Sequence, residues 1–307
     1  MKKIIALLVA VVLLATSLVA CNKKDDDITP PPAAPVEKDY TLAIGVVVSE
    51  NLADCKLDET VATIVTDSEG KIVLCRLDVV QYQVTANGTE LDTTAPVSKA
   101  VLGDTYGSMP SGSWDKQAIA LENYVVGKTQ AEVAATVLTD GKANDLVGSC
   151  SINIVDLLKA IDNAFNSAYK TTFRTASTNL TAGLAVTGTV SGTTTDAKYV
   201  ADFSAVVLAD GAVVAGIFDC ADVAFESIGA EGAASIVFAG TKRVQGDAYM
   251  MTGGAWHAQA DAFAKSAVGR TLADIEGLAI EGVAGCTMPY SPATFKMGLM
   301  LAVALAR

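Results

Sequence analysis

Three patterns of apolar and polar residues run along this chain, and each predicts a different kind of element. From Ile4 to Ala15 the apolar run is unbroken and follows Lys2 and Lys3, which is the layout of a signal-peptide core behind a charged start. Residues 41–50, 59–66 and 71–83 are rich in Val, Ile and Thr, and read as strands. The last two flank residues 67–70, Asp-Ser-Glu-Gly, so they predict a hairpin. Two later runs, at 206–208 and 213–215, flank Ala209, Asp210 and Gly211 in the same way. Residues 113–126 change period: Trp114, Ala118, Leu121, Tyr124 and Val125 share one helical face, and Gly127 supplies a stop. Thr129 with Glu132, and Thr271 with Asp274, have the spacing of a capping box opening a short helix. Final helices are predicted over 153–166 and 292–305, the second with Ser291 as N-cap and Pro292 at its first position.

These elements occur in the same order twice. Leu42 to Ser49 matches the stretch from Leu184 to Ser191, and Lys99 to Tyr106 matches Lys242 to Tyr249. Trp114, Gln117 and Ala118 match Trp256, Gln259 and Ala260, and Gly127 to Thr129 matches Gly269 to Thr271. Both tryptophans of the chain fall at one equivalent position. The expected fold class is therefore α+β: two tandem homologous repeats, each a small antiparallel sheet with helices, after a leader and linker. The expected division is 1–20 as signal peptide, 21–40 as linker, 41–172 as the first repeat and 173–307 as the second. Each repeat is expected to hold its own core, with a joint in the Ser- and Thr-rich stretch from Thr175 to Thr181.

Composition narrows the chemistry. Against 22 Lys and Arg stand 34 Asp and Glu, a formal charge of −12, which argues against a nucleic-acid partner, because such binding rests on cations neutralising phosphates. With one histidine, His257, a multi-His metal site cannot be assembled, and no nucleophile paired with a base is visible. Neither a catalytic residue nor a metal site is assigned, and the chain is read as not an enzyme. Residues 18–21, Leu-Val-Ala-Cys, resemble the lipobox of bacterial lipoproteins, and that resemblance implies lipid attachment at Cys21 and a place on the extracytoplasmic face of the cell membrane. The following stretch, with Asp25 to Asp27 and the prolines from Pro30 to Pro35, reads as an extended spacer.

A small-residue loop precedes each final helix: residues 145–151, Asp-Leu-Val-Gly-Ser-Cys-Ser, and 281–287, Glu-Gly-Val-Ala-Gly-Cys-Thr. Small side chains allow a ligand near the backbone, and amides opening a helix favour a phosphate. The same residues also suit a tight turn whose hydroxyl satisfies the backbone. Cys150 and Cys286 hold matching places, as small packing groups or as reactive thiols. Tyr106, Tyr249, Trp114 and Trp256 are read as core anchors, with stacking on a flat ring as the other use.

The loop resembles the Asp-Gly-Val-Ser-Gly-Ala-Thr motif of the FMN-binding domain family, which includes flavin-carrying lipoproteins of extracellular electron transfer. Glu281, Gly282, Val283, Gly285 and Thr287 carry the resemblance in the second half, with Ala284 for Ser and Cys286 for Ala. Asp145, Val147 and Ser151 carry it in the first, where Gly148 and Ser149 invert the motif's order. The resemblance implies FMN joined by a phosphoester to Thr287, or to Ser151, with Gly285, Glu281 and Asp145 in the cofactor-binding loops. It implies a membrane-anchored electron carrier serving a redox partner at the membrane or surface. The alternative is a tandem structural or ligand-binding module without flavin.

Overall fold

Strands buried on both faces carry near-continuous apolar runs instead of alternation, and that is what the middle strands of this protein do. The computed structural model describes residues 36–51, 56–83, 91–107, 109–193, 196–225, 236–278, 284–286 and 295–307. Residues 37–307 form one compact unit. Its first sheet has β1 (Lys38–Asn51), β2 (Lys56–Asp67) and β3 (Ile72–Gln83) as an antiparallel meander. The chain then runs through the helices α1 (Lys99–Leu102), α2 (Trp114–Val125) and α3 (Gln130–Ala134), a two-residue hairpin of β4 (Leu138–Thr139) and β5 (Lys142–Ala143), and α4 (Val155–Asn166). It returns as β6 (Lys170–Thr175), which pairs with β1 and completes the order β3-β2-β1-β6.

The second half forms a four-stranded sheet of its own. It has β7 (Leu180–Thr193), β8 (Asp196–Ala209) and β9 (Ala212–Phe225), then β10 (Ile236–Val237) on the edge, in the order β10-β9-β8-β7. There follow α5 (Lys242–Gln245), the strand pair β11 (Met250–Met251) and β12 (Gly254–Ala255), then α6 (Trp256–Ala267), α7 (Leu272–Glu276) and α8 (Phe295–Ala304). Among the described residues the protein is thus α+β, with eight α-helices and antiparallel sheets.

The two large sheets stack face to face, with helices on the outside of each. Leu57, Val61 and Val65 of β2 meet a layer that also contains Tyr199, Phe203 and Val207 of β8. Ala62 and Ile64, on the other face of β2, pack with Trp114, Leu121, Leu157 and Ile161 of α2 and α4. Val206 and Leu208 of β8 pack outward with Trp256, Phe263 and Leu299 of α6 and α8. The expectation of one self-contained core per repeat needs correction here. Each half owns the layer under its helices, but the layer between the sheets is built from both halves. Neither sheet can keep its inner face dry alone, so burial of that apolar area drives the two together. Glu59 and Thr63 are wholly buried polar residues on that face of β2, and burial pushes the Glu59 pKa well up, with Asp222 and Asp202 adding to it and the Tyr82 hydroxyl acting against it.

Two glycines bring a helix onto a strand backbone. A Cβ on Gly45 of β1 would lie 2.1 Å from the Ala160 oxygen and 2.2 Å from the Ala164 nitrogen of α4. A Cβ on Gly183 of β7 would lie 1.8 Å from the Ala302 oxygen of α8. The element predictions hold with shifts at the ends. The helix predicted over 153–166 begins at Val155, with Asn153 Oδ1 accepting the Val155 N–H at 3.0 Å. Both capping boxes form, with Thr129 paired to Glu132 and Thr271 to Asp274. The second final helix is described from Phe295, so Ser291 and Pro292 lie outside the described residues, as do residues 1–35 with the leader, Cys21 and most of the linker. At the joint, β6 stays in the first sheet to Thr175 and β7 opens at Leu180.

Candidate functional site

The loop before α4 is held by one buried amide. Its first turn is a 3-10 turn over Asn144–Leu146, and the Asp145 carboxylate accepts a hydrogen bond from the Tyr124 hydroxyl at 3.1 Å. The chain then tightens, with the Cys150 N–H donating to the Leu146 carbonyl at 2.7 Å. Gln117 of α2 is fully buried, and its Oε1 accepts from the Ser151 N–H at 2.7 Å, the Ser151 hydroxyl at 3.1 Å and the Ile152 N–H at 3.2 Å. Its Nε2 donates to the Gly112 carbonyl at 2.8 Å. A glutamine carries an acceptor and two donors on one planar group, so it can tie the start of α2 to this loop. Gln117 was visible in the sequence as one of the recurring positions, but its work as the anchor was not. Its counterpart Gln259 is also buried, and its Nε2 donates to the Gly254 carbonyl at 3.1 Å.

Asn153, two residues past the loop, lines a cavity of about 530 Å³ together with Glu50, Lys56, Asp58, Lys99, Trp114 and Asp156. Asn153 is locked where it stands: the next residue donates its N–H to the Gly141 carbonyl at 2.8 Å, and a Cβ on Gly141 would come within 2.4 Å of the Asn153 amide. Lys99 is buried on α1, with its ammonium 3.6 Å from Asp58 Oδ2, 5.2 Å from the Tyr106 ring centre and 5.9 Å from that of Trp114. Burial lowers the Lys99 pKa, and Asp58 acts against that. A cation facing aromatic rings gains from their quadrupoles when water is excluded. The second half repeats the arrangement, with Lys242 3.5 Å from Asp222 and 5.0 and 5.6 Å from the rings of Tyr249 and Trp256. The recurring aromatics are therefore core anchors, each beneath a lysine. Trp114 and Trp256 are both buried.

The remaining sequence candidates divide by half. Ser151 and Asp145 stand on one loop, with Ser151 half-buried and Asp145 exposed. Gly285 adopts φ +81°, the left-handed region that favours glycine, and a Cβ there would meet Ala262 at 3.4 Å. Thr287 and Glu281 lie outside the described residues. Cys75, Cys150 and Cys220 are buried free thiols, and burial raises the pKa of each. A buried neutral thiol is a packing group, not a nucleophile. Cys75 pairs across the hairpin with Ile64, and Cys55 lies outside the described residues. His257 stands at the start of α6 with Nε2 3.8 Å from Asp247.

Among the described residues no group of His, Cys, Asp and Glu is placed to hold a metal, and no helix is long and apolar enough to cross a membrane. Comparison with protein-family models, with curated proteins and with solved structures returned no match.

Proposed function

We propose that the chain is a flavin carrier anchored through Cys21 on the extracytoplasmic face of the membrane, built from two tandem copies of one unit. In this reading FMN is held by a phosphoester at Ser151, at Thr287 or at both. The observation that carries it is the Ser151 loop, pinned by Gln117, with Asn153 two residues on lining a polar cavity. The residues fit such a group: Ser151 offers a hydroxyl at a half-buried position, and space is open beside Gly148. Lys56 and Lys99 are the cations of the cavity, set against Glu50, Asp58 and Asp156, and Asn153 stands two residues on from Ser151, at the opening of α4. Bound FMN would supply the electron uptake and release, while the chain supplies position, charge and exclusion of water. A redox partner at the membrane or cell surface would take the electrons.

A second reading has its own support. The Ser151 hydroxyl already donates to Gln117, so the loop is complete as a structural feature without modification. A tandem module that keeps this geometry without flavin would look the same. Intact mass and visible absorption of protein purified from its native host separate the two. The carrier reading expects one FMN mass per loaded site and a yellow protein. It also expects Ser151→Ala or Thr287→Ala to remove one FMN each where loaded. An unmodified mass, with no flavin released on denaturation, would leave the module as the function.

A further inference from the structure

One ion site in the first half has a counterpart position in the second where all three side chains are shorter. Glu122 is the ninth residue of α2 and is buried. Its carboxylate accepts from the Leu77 N–H at 2.9 Å and from the Arg76 and Arg307 guanidiniums at 3.3 and 3.0 Å. The ninth residue of α6 is Ala264. Arg76 stands four residues after Ile72, which exchanges backbone bonds with Gly127 and Lys128. Ile217 stands four residues after Val213, which does the same with Gly269 and Arg270. Arg307 leaves α8 and pairs through its backbone with Ala182 of β7, as Thr171 leaves α4 and pairs with Leu42 of β1.

The shortened residues Ala264, Ile217 and Thr171 all line one cavity of about 490 Å³. A second cavity of about 440 Å³ shares Ala168, Tyr169, Ile217 and Arg243 with it, so the two adjoin as one groove between β6 and β9. Arg243 is buried where they meet. Its Nε donates to the Phe218 carbonyl and its Nη2 to Asp261 at 2.7 Å, while Nη1 meets no acceptor among the described residues. Lys170 and Lys265 also line the first cavity, with Asp261, and Asp219, which accepts the Arg243 backbone N–H at 3.1 Å, lines the second, so three cations stand against two acids. A cationic groove is out of keeping with a chain of net charge −12. Val214, Ala215, Ile217 and Val268 supply apolar lining.

We propose that this groove binds a small organic anion, with a carboxylate directed to Arg243 and an apolar body over Ile217. In the first half the equivalent space holds the protein's own carboxylate, Glu122, with Arg76 and Arg307 as its cations. In the second half that carboxylate and both cations are gone, and the groove's cation is Arg243, whose matching position in the first half is Ala100. A guanidinium held by fixed acceptors is already oriented for a planar carboxylate.

The test is calorimetric titration of the full chain with benzoate, with benzyl alcohol as the neutral analogue and inorganic phosphate as the anion without an apolar body. Benzoate should saturate, and the other two should bind at least tenfold more weakly. Ala264→Glu returns the carboxylate to the groove, and should keep the native circular dichroism while weakening benzoate at least tenfold. Lys265→Gln, at an exposed position, should weaken it about threefold by removing one nearby charge. It decides the matter if Ala264→Glu does not fold. Equal binding of benzyl alcohol or phosphate, unchanged affinity in the folded variants, or no saturation by about 10 mM would each overturn the proposal.

Discussion

Gly45→Ala isolates the contact on which the first helix layer rests. The added Cβ would lie 2.1 Å from the Ala160 oxygen and 2.2 Å from the Ala164 nitrogen, and both are helix backbone that cannot rotate aside. Ordinary contact begins near 3.4 Å, so α4 must retreat from β1 by more than an ångström. A gap of about 0.5–1 Å already forfeits a quarter to a half of each dispersion well. Leu157, Ala160, Ile161 and Ala164 are the buried residues on the moving face, and the two larger ones are each worth roughly 1.5–3 kcal/mol when buried. The retreat therefore costs roughly 2–4 kcal/mol, against which the stiffer unfolded chain of alanine offsets about 0.4–1 kcal/mol. Thermal and urea unfolding would measure the net loss, about 1–3.5 kcal/mol, or a melting temperature lower by roughly 3–10 °C. Gly70→Ala is the control: its φ is +75° but the space beside it is open, so only the left-handed strain of about 1–2 kcal/mol remains. If Gly45→Ala proves no worse than Gly70→Ala, the close helix–strand approach does not exist in solution.

Four further outcomes are expected. Asp78 is buried, its Oδ1 accepts the N–H groups of Val79 and Ala100, and burial raises its pKa to about 6. A raised carboxyl pKa means that stability present below about pH 4 is lost as pH climbs through 6. Asp78→Asn, which keeps the acceptor, should flatten that limb of the pH–stability curve and gain roughly 1–3 kcal/mol at pH 7; an unchanged slope would contradict it. Glu59→Leu should likewise stabilise by about 1–3 kcal/mol, with the gain growing as pH rises above the ordinary carboxylate range, and a loss at neutral pH would show that the carboxyl's partners outweigh its burial. Arg307→Ala removes a partly exposed partner of Glu122 and should cost about 1 kcal/mol; in a double-mutant cycle with Glu122→Gln the two effects should not add. Thiol labelling of native protein should leave Cys75, Cys150 and Cys220 unreacted until unfolding, and rapid modification of any of them would show that it is not buried in solution.

Local chemistry, legible in the sequence, determined the elements. The turns, the capping boxes at Thr129 and Thr271 and the glycine stop after α2 each depend on neighbours within a few residues. The candidate loop was legible too, as a run of small residues ending in a hydroxyl. What holds that loop was not, because Gln117 acts on Ser151 across 34 positions, and recurrence of a residue does not say what it touches. Stacking of the sheets was likewise settled only in three dimensions. A strand such as β2, buried along most of its length on both faces, has no alternation to say which side meets a helix and which meets another sheet. The shared middle layer, the glycines under α4 and α8, the carboxylate site at Glu122 and the groove at Arg243 all arise where segments far apart in the chain converge. Their energies depend on distances between backbones, and the order of residues along one backbone does not contain those distances.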